Sequence, residues 1–203
     1  MFRRNHFFRG IFMGGVFMKN KNIRILVFAA FLVALEIVLN RFCSFNTMGL
    51  KIGVSFIPGI VAAGLFGPWV SAAVWGVGDF LGAVLFPIGT YHPGFTFCAV
   101  LMGIVNGIFL HPAPFGDGNR APRWSQIRFF PNVVVPTIIN NLGIGLFINT
   151  VWISQLYTSK TYWAFFISRL TTEYTVLIAL ELVLIPILLT LRKPLMKIVN
   201  NHR

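Results

Sequence analysis

Long apolar runs, each closed by glycine, proline or charge, dominate the chain from residue 23 to residue 191. A helix of roughly 20 apolar residues crosses a hydrocarbon layer about 30 Å thick. Six runs approach that length. They are Ile23–Leu39, then Val54–Phe66 (short and opened by Pro58), Trp69–Phe86, Phe95–Leu110 with a start as early as Tyr91, Phe130–Ser154, and Tyr162–Leu191. The pattern predicts an all-α integral membrane bundle of six transmembrane helices over residues 23–191. A basic extension (1–22) precedes it and a basic tail (192–203) follows. Only Gly67-Pro68 separates the second run from the third.

Composition changes the picture in one direction. Hydrophobic residues make up 56% of the 203 positions and charged residues 11%, against about 25% charged in an ordinary soluble domain. That leaves too little polar material to cover a soluble surface or to keep a chain disordered. The net charge of +12 would suggest nucleic acid in a soluble protein. Here the basic residues flank apolar runs, so they read as topology and no nucleic-acid partner is expected. With both termini on one side, that side holds 13 of the 17 basic residues, including Arg120, Arg123 and Arg128 between the fourth and fifth runs. The opposite side holds Arg41, Lys51 and Lys160, and Arg169 falls inside the sixth run. The positive-inside bias therefore makes both termini cytoplasmic and the number of spans even. The first 20 residues lack a small-residue cleavage site after an apolar core, so no removed signal peptide is expected. They read either as an amphipathic stretch on anionic lipid or as a basic tail.

Familiar reaction chemistry is missing. There is no GxxxxGK[ST], HExxH or GxSxG. Five acidic residues leave little for acid–base or metal work, and Cys43 and Cys98 have no zinc spacing. No enzyme, metal or cofactor is expected. Polar chemistry gathers instead on the side opposite the termini. The loop Arg41–Gly53 is polar and contains glycine, a length that is often functional. The stretch Phe86–Thr96 carries two prolines besides Phe86, Thr90, Tyr91, Phe95 and Thr96, and its rings suit either a flat aromatic ligand or an interfacial belt. Arg169 and Glu173 stand at i,i+4 and can pair; alternatively Arg169 and Arg41 converge on an anion. Asp79, among Gly76, Gly78 and Gly82, accepts from a ligand ring or pairs with Arg169. Asn140-Asn141 and Asn149-Thr150 suit a heterocycle or interhelical bonding. Glu36 is expected at the headgroups on that side. Small residues at i,i+4, namely Ala30 and Ala34, Gly59 and Ala63, Ala72 and Gly76, Gly103 and Gly107, permit close helix packing or a docking face for a partner protein.

These residues resemble a family. Arg41-Phe, Leu50-Lys-Ile-Gly-Val-Ser-Phe-Ile-Pro58, Gly67-Pro68 and Gly78-Asp79-Phe-Leu-Gly82 are similar to the first three helices of the substrate-binding S-components of energy-coupling factor vitamin transporters. The run Phe86-Pro-Ile-Gly-Thr-Tyr-His-Pro-Gly-Phe-Thr96 resembles the folate-specific members. The resemblance implies a bundle of six helices in a prokaryotic plasma membrane, with the first loop as a lid over a vitamin. It implies docking through Ala30, Ala34, Ala63, Ala72 and Gly76 onto a transmembrane coupling subunit driven by two cytoplasmic ATPases, and delivery by reorientation in the bilayer. The pterin would meet asparagine, threonine and aromatic side chains, Asn149 among them. The anionic tail would meet Arg41, Lys51 or Arg169, with Asp79 and Glu173 nearby. Another vitamin such as riboflavin, an intramembrane enzyme and a structural scaffold are the competing readings.

Overall fold

The computed structural model of the chain describes residues 21–47, 50–87, 89–111, 130–157 and 162–200. The basic extension before Lys21, the loop carrying Arg120, Arg123 and Arg128, and Lys160 lie outside the described residues. Helix α1 is Lys21–Phe42, and a hairpin of β1 (Ser44–Thr47) and β2 (Leu50–Gly53) follows it. Then come α2 (Phe56–Phe66), α3 (Pro68–Leu85) and α4 (Pro93–Leu110). The fifth helical span, α5, covers residues 130–157, and the sixth, α6, covers 162–200. Both contain wide π-type turns, at Phe130–Val134 and Ile139–Ile148 in α5 and at Leu170–Tyr174 in α6.

The helix ends follow from local chemistry. Pro68 and Pro93 open α3 and α4, where the missing N–H costs nothing and φ is already helical. Gly67 joins α2 to α3 at φ 86°, a left-handed backbone open to glycine. The faces are inverted relative to a soluble protein. On α1 the side chains of Val27, Phe31 and Val38 are exposed, while Glu36 and Asn40 are buried. Trp69, Val77, Phe80 and Val84 are likewise exposed on α3. Large apolar groups point outward because their solvent is lipid.

All six expected segments are helical, but they differ in reach. Five are long and apolar enough to cross a membrane, and Phe56–Phe66 is not. Its 11 residues rise about 16 Å. Strand β2 adds about 13 Å at some 3.3 Å per residue, so β2 and α2 together match one crossing. Contacts bear this out. β2 lies against the early part of α6, while α2 packs farther along it, with Phe56, Ile60 and Ala63 in one core with Leu110, Val133, Ile185 and Leu189. Strand backbone at this depth is tolerable because β1 pairs it antiparallel, Ser44 opposite Gly53 and Asn46 opposite Lys51, and protein covers it. The first polar loop is thus a hairpin, and the molecule has a hairpin end and a far end.

Small residues set the tightest seam, between α3 and α4. A Cβ at Gly103 would lie 2.6 Å from the Ala72 Cα, and one at Gly107 would lie 2.1 Å from the Pro68 Cα. Gly76 is covered by Val100. Ala72 and Gly76, expected on a docking face, are therefore spent on internal packing, as is the fully buried Ala63. Ala30 and Ala34 are exposed. Because the obstacle at Gly107 is backbone, Gly107→Ala must part the two helices. It is expected to destabilise the protein by about 1–3 kcal/mol, as overpacked cores do, measured as a lower thermal midpoint in detergent. An unchanged midpoint would contradict the seam.

Candidate binding site at the hairpin end

The hairpin end is built by three polar assemblies. The first lies on α1, where the i,i+4 spacing puts Glu36 and Asn40 on one face. The Asn40 Nδ2 donates to Glu36 Oε1 at 3.0 Å. The other carboxylate oxygen, Oε2, is buried without a hydrogen-bond partner, as is Asn40 Oδ1. Glu36 does not reach the headgroups as expected. It is 3% exposed and turned into α3 at Gly78, where a Cβ would lie 1.8 Å from Oε2. Arg41, one residue on, lies beside Gly82, and its Nε is buried without a partner. The Ser44 hydroxyl donates to the Asn40 carbonyl and ties the hairpin to α1.

The second assembly joins α3 to α4. Thr96 Oγ1 donates to Asp79 Oδ2 at 2.8 Å, and the Tyr91 hydroxyl is 3.1 Å from Thr96 Oγ1. Tyr91 packs edge-on against Phe80 at 5.8 Å. His92 caps α4, its Nδ1 accepting from the Gly94 N–H at 3.1 Å, and its ring stacks on Trp152 of α5 at 4.7 Å. Phe95 meets the His92 ring at 6.1 Å. Phe86 is exposed and pairs with Phe42 at 5.3 Å, and Thr90 is exposed in the same connection. Asp79 thus takes its hydrogen bond from Thr96 and none from Arg169.

The third assembly locks α5 to α6. Arg169 is 2% exposed. Its Nε and Nη2 grip Glu173 at 2.8 and 3.2 Å, its Nη1 donates to Thr150 at 2.7 Å, and its Nη2 also donates to the Tyr174 hydroxyl at 3.2 Å. The guanidinium lies over the Phe165 and Tyr174 rings as well. Between the two readings of Arg169, pairing with Glu173 is the one realised. Asn140 and Asn141 bond within the bundle, to the Met102 carbonyl and to Thr137 and Glu181. Asn149, on the half-buried edge of α5, keeps Oδ1 buried and unpartnered.

Lys51 of β2 is the point on which these assemblies converge, within electrostatic reach of Asp79, Glu36, Arg41 and Glu173. The expected site residues therefore share one end of the bundle. Glu36, Asn40, His92, Thr150, Trp152 and Tyr174 join them. The spacing of 36, 40 and 41 on one helix was the available signal for the first two. Glu36, Asn40 and Asn149 keep acceptor oxygens, and Arg41 its Nε, buried without a hydrogen-bond partner. That set suits a flat heterocycle that donates and accepts, with an anionic substituent for the cations. Among the described residues no group of His, Cys, Asp or Glu is arranged to hold a metal ion.

The chain is similar to known proteins. The family model for the substrate-specific component of ECF transporters matches residues 24–189. The folate transporter FolT of Clostridium novyi (strain NT) is 33% identical over 153 residues, 75% of this chain and 81% of that protein. The folate transporter FolT of Leuconostoc mesenteroides subsp. mesenteroides is 26% identical over 145 residues, 71% of each. A crystal structure of FolT bound with folic acid superposes with a TM-score of 0.64 at 26% identity, covering 78% of this chain and 86% of that one.

Arg169→Ala would leave Glu173 charged, buried and unpaired, a loss of about 3–5 kcal/mol. The double variant R169M/E173L, which removes both charges, is expected to recover most of that stability in thermal melts. If the double variant melts as low as the single one, the loss comes from the Arg169–Thr150 link between α6 and α5 and not from the charge left on Glu173.

Proposed function

The chain belongs to the substrate-specific components of ECF transporters, and from that premise we propose that it captures folate at the hairpin end. It is a membrane-embedded transport subunit and not an enzyme. The observation that carries the ligand is the placing of two cations, Lys51 and an Arg41 whose Nε has no partner, at one end of the bundle with buried unpartnered acceptors. Folate has two carboxylates on its glutamate tail and a pterin rich in donors and acceptors. The names of the two relatives and the folic-acid-bound neighbour support the same ligand.

The residues divide the work by their own saturation. Arg169 is held on several sides by its own chain and serves as wall. Arg41 and Lys51 take the carboxylates, since guanidinium and ammonium hold anions by charge-assisted hydrogen bonds. Asn149, Thr96 and Asp79 read the heterocycle, and the rings of Tyr91, Phe95 and Phe86 exclude water beside it. Ser44 and the strand pairing hold the hairpin across the mouth as the cover. The termini face the cytoplasm of a prokaryotic cell, and the exposed Ala30 and Ala34 offer a coupling subunit and its two ATPases a close approach to α1.

Purified from a folate-containing medium, the protein is expected to release a molecule with pterin absorbance on denaturation; a flavin spectrum would replace folate with riboflavin. Arg41→Ala and Lys51→Ala should each weaken folate binding about 10- to 100-fold, the value of a hydrogen bond to a charged group, in a labelled-folate assay. Unchanged affinity in both removes the clamp. Ala34→Trp should leave folate binding intact and stop uptake by cells that carry the energising module; normal uptake would take Ala34 out of the docking face.

A further inference from the structure

We propose that Glu36 takes up one proton when the anionic ligand binds, so that capture at this site is proton-linked. The inference rests on the folate reading above, which supplies the ligand's charge.

The charges at the hairpin end are few. Glu36 and Arg41 come from α1, Lys51 from β2 and Asp79 from α3; α2 contributes none. α6 contributes Arg169 and Glu173, which neutralise each other. At the start of α4 stands His92, whose Nδ1 accepts a hydrogen bond. α5 contributes amides, a hydroxyl and the Trp152 indole. Among the described residues two cations therefore already face two carboxylates. A ligand with two more carboxylates leaves four against two, in a space with little water to screen them. One carboxylate must yield its charge.

The hydrogen bonding selects Glu36. Asp79 is half-buried and takes the Thr96 hydroxyl. Glu36 is 3% exposed and receives a single bond, from Asn40 Nδ2 to Oε1. The atoms left over, Glu36 Oε2 and Asn40 Oδ1, are both acceptors, both buried and both unpartnered. One proton on Oε2 supplies the missing donor. The carboxylic acid and the amide can then pair twice, N–H to Oε1 and O–H to Oδ1, and no acceptor remains unsatisfied. The proton comes from the aqueous phase at the mouth and the carboxylate becomes a carboxyl; no other bond changes. Gly78 keeps the place open, since a side chain there would displace Oε2.

Calorimetry of folic acid binding to the full chain in nanodiscs tests this, in phosphate and in Tris at the same pH. At pH 8 and above, beyond the ordinary histidine range, the buffer difference should show an uptake approaching one proton, and affinity should rise by up to about tenfold for each unit of acidification by linkage, levelling off toward pH 7. Glu36→Gln, neutral in advance, should bind with an uptake near zero and an affinity flat with pH. Gly78→Ala, which drives the carboxylate into water, should lower the uptake too, and decides the matter should Glu36→Gln not fold. Binding by the wild-type chain with no proton uptake overturns the inference alone, as does uptake that persists in both variants. No binding of folic acid by the wild-type chain overturns the folate reading and this inference with it.

Discussion

Hydrocarbon supplies no water to satisfy a polar atom, and that one constraint orders the whole molecule. A backbone N–H or C=O left open there costs several kcal/mol, so the spanning segments are helices and the two described strands pair with each other. The same cost turns polar side chains inward, where Asn141 finds Glu181 and Ser71 finds the Gly59 carbonyl. Arg169 shows the rule at full strength: a guanidinium 2% exposed is tolerable because carboxylate, hydroxyls and ring faces surround it.

The short α2 follows from the same rule. A full helix through residues 50–66 would seal the hairpin end with one more apolar rod. By entering as a strand, the chain brings Lys51 into the bundle on backbone that pairs with β1. A lysine midway along a lipid-facing helix would be far more costly. The hairpin is thus the device that places a cation below the mouth, and the break at Gly67 lets α3 turn back within one residue.

Much of this was legible in the sequence. Hydropathy located the six segments to within a few residues, because lipid demands length and apolarity and little else. The pairing of Arg169 with Glu173 was one of two readings that the i,i+4 spacing left open. Its other support, Thr150, comes from a different helix and has no local signature. Glu36 was misplaced at the headgroups because α1 is apolar on nearly every side, so its sequence marks no face as inward. The small-residue pairs show the same limit. Ala30 and Ala34 repeat the spacing of Ala72 and Gly76, yet one pair faces out and the other lies under α4. The hairpin escaped notice because its four-residue strands are too short for a period to show.

Saturation, more than charge, separates scaffold from site. Arg41 and Arg169 carry the same group at the same end of the bundle. Arg169 meets partners from its own chain on nearly every side, so an arriving anion would have to break bonds worth as much as those it offers. Arg41 keeps its Nε open beside a glycine, so an anion there gains a bond and breaks none. The same test sorts the acids: both oxygens of Glu173 are taken by Arg169, whereas Glu36 keeps one oxygen open. A bundle that satisfied every polar atom by itself would be more stable and would have nothing left with which to hold a vitamin. On the proposed reading, the open atoms of Glu36, Asn40 and Arg41 on α1 are where this chain gives up stability for recognition.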